Sequence, residues 1–123
     1  MKRISPCAGR TPALMATLIG MSCACQAVAA TAVCTGNITT VANHAGLGLL
    51  LVVGTNNVVS VCSFNSTQFS ITPEDCKHMA SLAALAFATD VPVVLYVDNP
   101  PTINCNEIPN WYVANTRYLA LQK

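Results

Sequence analysis

The segment that most constrains what this chain can fold into runs from Thr72 to Val97, TPEDCKHMASLAALAFATDVPVVLYV. It reads as a capped helix passing directly into a strand. Thr72 suits the N-cap, Pro73 the first helical position, and Glu74 and Asp75 the first turn, where free N–H groups and the positive end of the helix dipole attract acceptors. No Gly or Pro interrupts Cys76 to Ala88. Met79, Leu82, Ala83, Ala86 and Phe87 form one apolar stripe at helical spacing. The opposite side, Lys77, Ser81, Ala84 and Ala88, is small and mostly uncharged, so much of the helix is expected to be buried. Thr89-Asp90 ends the pattern, and Val91 to Val97 is rich in β-branched and aromatic residues, as a strand requires.

A chain of 123 residues has room for one domain. Its first 30 residues are expected to be a signal peptide. Lys2, Arg3 and Arg10 give a basic start, Ala13 to Ala24 an apolar run, and Ala27-Val28-Ala29 the small residues of a cleavage site. Cleavage after Ala29 or Ala30 leaves a single domain over 31–123. The apolar run falls short of the roughly 20 residues that span a bilayer. Cys25, preceded by Ala24, would be the lipidated residue of a lipoprotein signal, but Ser22 stands where that signal carries Leu. No membrane span is therefore expected, and the protein is expected to be secreted or periplasmic.

Without the signal, Lys77, Arg117 and Lys123 face Glu74, Asp75, Asp90, Asp98 and Glu107, a net charge of −2. Three scattered cations cannot neutralise a run of phosphates, which disfavours nucleic acid as a partner. Cys34, Cys62, Cys76 and Cys105 remain, an even number that in a small exported domain reads as two disulfides. No C-x-x-C pair favours zinc instead, so no metal or cofactor is expected.

Five strands are expected in all. Asn37–Asn43 and Val58–Phe64 are rich in β-branched residues, Leu47–Val53 is continuously apolar, and Gly54 to Asn57 between the last two is a hairpin turn. After the fourth strand, Asp98-Asn-Pro-Pro101 stops the chain. The last strand is Trp111–Leu121, with Asn115 a position for a bulge or bend. The order is β-β-β-α-β-β, the connectivity of the OB-fold, a small five-stranded Greek-key barrel that is mainly β with one helix. A five-stranded sheet of other topology with one packed helix is the rival. In an OB-fold the first and fourth strands are antiparallel neighbours. That arrangement would carry Cys34, ahead of the first strand, towards Cys105 after the fourth, and Cys62 towards Cys76.

Candidate chemistry is sparse. His44 and His78 lack a neighbouring nucleophile or carboxylate arrangement. Capping explains Glu74 and Asp75, and nothing fixes Asp98 relative to Glu107. Asn37-Ile-Thr39 and Asn65-Ser-Thr67 match the glycosylation pattern but read as turn residues. The tract Asn110 to Tyr118 is richer. Trp111, Tyr112 and Tyr118 offer rings for stacking, and Asn115 and Arg117 offer hydrogen-bond donors, the combination that sugar recognition uses. Strict alternation would put Trp111 with Arg117 on one face and Tyr112 with Tyr118 on the other, one of the two filling the core.

A Cys in the third strand, the pair Ala86-Phe87 closing the helix, a Val-rich strand and a Cys-bearing loop together resemble the OB-fold B subunits of bacterial AB5 toxins, of the subtilase cytotoxin, typhoid toxin and pertussis toxin type. The stretch LAFATDVPVVLYVD is also similar to a group of small exported bacterial proteins of unassigned role. The likeness covers about Val58 to Leu121, and this chain lacks the long final loop and terminal Cys pair of those subunits. The resemblance implies a pentameric ring that binds host glycans. The expectation is thus an exported, non-catalytic protein binding a glycan or a partner protein, as a homo-oligomer if it is toxin-like. The alternative is a periplasmic structural or inhibitor-type protein docking on one partner.

Overall fold

A computed structural model describes residues 29–123; the signal segment expected over 1–30 lies outside them, save for Ala29 and Ala30. The helix α1, Pro73–Thr89, begins with a capping box. The Thr72 hydroxyl accepts from the Asp75 N–H at 3.2 Å, and the Asp75 carboxylate accepts from the Thr72 N–H at 3.3 Å. The Thr72 hydroxyl also donates to the Asp75 carboxylate at 2.6 Å, and this bond, with that from the Thr72 N–H, holds the Asp75 carboxyl below its usual range. Asp90 ends the helix in the left-handed conformation (φ 55°), donating its N–H to the Ala86 carbonyl. The Asn37 side-chain amide donates to the Asp90 carboxylate at 2.6 Å, tying this end to the first strands.

Among the described residues seven strands accompany the helix: β1 Thr31–Gly36, β2 Ile38–His44, β3 Gly48–Val53, β4 Val59–Cys62, β5 Val93–Asp98, β6 Tyr112–Val113 and β7 Asn115–Leu121. They form two sheets, in the orders β1-β5-β7 and β2-β3-β4-β6, and not one closed five-stranded barrel. All pairings are antiparallel except β4 with β6. The described residues are mainly β with one α-helix, as expected.

The strand count differs for two local reasons. Thr31–Gly36 is a strand of its own, with Ala32 and Cys34 buried between the more exposed Thr31, Val33 and Thr35. Cys34 thus lies inside a strand and not ahead of the first one. The expected last strand is split at the buried Ala114, so that Tyr112–Val113 pairs with β4 and Asn115–Leu121 with β5.

The core lies between the sheets and the inner side of α1, with Leu49, Leu51, Val61, Leu95 and Ile108 almost fully buried. The helix packs mainly on β2 and β7 through Cys76, Ala83 and Ala86. Such small residues let it approach closely. Phe87, expected on this stripe, is instead 52% exposed, as is Leu85, and Lys77, Ser81, Ala84 and Ala88 also face outward. The expectation that much of α1 is buried does not hold, since only Cys76, Ala83 and Ala86 are fully covered. Gly48, where β3 begins, has φ 74°, and a Cβ there would collide with the Cys62 carbonyl and lie 2.7 Å from the Ser63 Cα. Only glycine fits this close approach of β3 to β4. Disulfides join Cys34 to Cys105 and Cys62 to Cys76, with Cα separations of 5.7 and 5.5 Å.

Candidate functional site

The outward face of the sheet β1-β5-β7 is where exposed rings and charges converge. Alternation turns Ala32, Cys34, Leu95, Val97 and Leu119 into the core, which leaves Val33, Tyr96 and Tyr118 outside. Register aligns these three in one row, Val33 opposite Tyr96 and Tyr96 opposite Tyr118. The rings of Tyr96 and Tyr118 stack with centroids 4.3 Å apart and planes 29° from parallel, within the range of favourable aromatic pairs. Val33 is 47% exposed and Tyr118 41%.

A β-bulge adds a cation to this row. Tyr96 pairs with Tyr118 but Val97 pairs with Thr116, so Arg117 has no residue opposite it. Arg117 and Tyr118 are then both exposed, although they are consecutive. The Arg117 guanidinium grips Asp98 with two hydrogen bonds, Nε to Oδ2 at 3.0 Å and Nη2 to Oδ1 at 2.7 Å. The Thr31 hydroxyl donates to the same carboxylate at 3.1 Å. Arg117 thereby holds the Asp98 carboxyl below its usual range, and Asp98 raises the guanidinium in turn. The adjoining Tyr96 hydroxyl raises the Tyr118 phenol.

The residues singled out in the sequence therefore separate. Asn115, opposite Asp98 in register, joins Arg117 and Tyr118 on the outward face. Tyr112 is half-buried against the core. Trp111, with φ 64°, is 52% exposed and meets the edge of His44 at 6.2 Å. Strict alternation, which grouped Trp111 with Arg117 and Tyr112 with Tyr118, fails because the chain changes partner at Ala114 and bulges at Arg117. Tyr96, Thr31 and Val33 were missed, although the period-two run Val94, Tyr96, Asp98 carried a signal for the first of them.

The remaining polar candidates are occupied. His44 Nδ1 accepts from the N–H groups of Gly46 and Leu47, each at 3.2 Å. His78 lies 3.9 Å from Glu74. Asp98 and Glu107 serve different partners, Arg117 and Thr102. Among the described residues no cluster of three His, Cys, Asp or Glu side chains could hold a metal.

Beyond β1 the outward face drops into a groove of about 520 Å³. Thr35, Thr55, Asn56, Ile103, Asn104 and Asn106 line it above the Cys34–Cys105 bridge. Asn104 is fixed by accepting from the Asn106 N–H at 3.3 Å, while the side-chain amides of Asn56 and Asn106 make no hydrogen bond among the described residues. Rings for stacking, a paired cation and anion, and free amides are groups that bind a polar ligand. No protein-family model, curated protein or solved structure matches the chain.

Proposed function

We propose that this is an exported, non-catalytic binding protein whose ligand is a glycan held on the outward face of β1-β5-β7. The observation that carries the reading is the stacked pair Tyr96 and Tyr118 beside the Arg117–Asp98 ion pair. A sugar ring lays its C–H face on an exposed aromatic ring, and its hydroxyls both donate and accept. Asp98 offers acceptors and Arg117 donors, side by side. Export is supported by two disulfides in so small a domain.

The same reading takes the two sheets as an OB-fold-like barrel. In support, only Asn37 separates β1 from β2 and only Ala114 separates β6 from β7. The helix follows β4 and precedes β5, as that connectivity requires. A toxin B-subunit-like role, with a ring of copies, belongs to this proposal. A second reading, docking on a partner protein or on further copies, is favoured by Leu85 and Phe87, exposed on the outer side of α1.

A glycan array read with the purified protein tests the first reading. Tyr118→Ala is expected to abolish the signal while leaving the melting temperature nearly unchanged. Retained binding by that variant would remove the face from consideration. Sedimentation of wild type and Phe87→Glu tests the second, which expects an assembly that the variant dissociates.

A further inference from the structure

We infer that the ligand is an uncharged oligosaccharide lying across the three strands, from Tyr118 over Tyr96 and Val33 into the groove beyond β1. The inference rests on the glycan reading above and names the class of glycan. Charge is the first argument. Both Asp98 oxygens are held by Arg117, so the pair presents no net charge to an acidic sugar. The groove is lined entirely by uncharged residues. Among the described residues a sialic acid or sulfated sugar would find no free cation along this path.

Length is the second argument. Neighbouring strands lie about 4.8 Å apart, so β7 to β1 spans about 10 Å before the groove begins, more than one sugar ring covers. Val33 belongs both to the row with Tyr96 and Tyr118 and to the groove lining. The stacking row and the groove are therefore one continuous surface.

Hydrogen-bonding capacity is the third. The Ala30 carbonyl accepts from the Asn99 N–H at 2.8 Å, so by strand alternation the backbone groups of Ala32 and Cys34 also turn to β5. Those of Thr31, Val33 and Thr35 turn to the open edge, since β1 has no second neighbour in its sheet among the described residues. With the free amides of Asn56 and Asn106 they supply neutral donors and acceptors where sugar hydroxyls would lie.

The experiment is an array of neutral and sialylated oligosaccharides, followed by calorimetric titration of the best neutral oligosaccharide and its trimmed fragments. Neutral glycans are expected to exceed their sialylated counterparts, with affinity insensitive to added salt. Trimming to the monosaccharide is expected to lower affinity at least tenfold. Asn56→Ala with Asn106→Ala is expected to weaken the full oligosaccharide to the level of its fragment, with unchanged melting. If binding needs Tyr118 but a monosaccharide binds as tightly as the full chain, or sialylated glycans bind best, the inference is overturned and the glycan reading stands. If no glycan binds, or Tyr118→Ala binds as wild type does, both fall together.

Discussion

The two disulfides close loops of very different length, and that difference predicts a measurable ranking. Cys34 and Cys105 are 71 residues apart in sequence, Cys62 and Cys76 only 14. Constraint of the unfolded chain is worth about 4.4 kcal/mol for the first loop and about 3 kcal/mol for the second. A domain of this size has a total stability of roughly 5–14 kcal/mol, so losing both bridges removes most of it. In Cys62→Ala/Cys76→Ala, dithiothreitol opens only the long loop; in Cys34→Ala/Cys105→Ala it opens only the short one. Each variant is compared with itself, oxidised against reduced, so the cavities left by the substituted sulfurs cancel. Urea titrations should show the long-loop bridge contributing more, by about 1.4 kcal/mol. Equal losses, or the reverse order, would refute loop entropy as the source and point to native-state contacts around the buried Cys62 and Cys76.

Gly48→Ala should cost more than about 2 kcal/mol, since collision with the Cys62 carbonyl adds to the roughly 1 kcal/mol of a left-handed backbone at a non-glycine residue. A melting temperature equal to wild type would show that β3 closes on β4 differently. The depressed Asp98 carboxyl sets a pH dependence. Its contribution is present above the unfolded-state value of about 3.9 and is lost as pH falls through the lower folded-state value. Asp75 acts in the same direction, so urea midpoints of wild type and Asp98→Asn should converge on acidification while both keep the Asp75 component. A constant gap between the two would show that the Arg117–Asp98 pair does not stabilise the fold.

Much of the fold was legible where one short-range device decides the structure. Thr72-Pro73 with Asp75 specifies a helix start through hydrogen bonds within four residues, and α1 begins there. Val93–Asp98 was readable from β-branched content, and the turn after Val53 from Gly54. Thr31–Gly36 was harder to recognise. Its six residues, TAVCTG, include Ala, Cys and Gly, and what makes them a strand is the long-range ladder to β5. The exposure of Phe87 was equally hidden from the helical stripe. Periodicity gives the direction of a face but not its width, and the sheets meet α1 along Cys76, Ala83 and Ala86.

The site was half legible for a related reason. Residue types in Asn110 to Tyr118 pointed to stacking and hydrogen bonding, but their grouping assumed one uninterrupted strand. Two irregularities broke that assumption, the change of partner sheet at Ala114 and the extra residue at Arg117. Their one local signature is Asn115, a position for a bulge or bend that lies between the two points, and no glycine or proline marks either of them. Each is fixed by a distant strand: Ser60 accepts from the Ala114 N–H, and Asp98 binds Arg117. Asp98 in turn ends the strand that brings Tyr96 beside Tyr118. The bulge places Arg117 and Tyr118 on one face, and that face is completed by β5 pairing beside them. A single Asp98→Ala would therefore act on the cation and the adjoining ring row together, through contacts that no sequence spacing within the final tract contains.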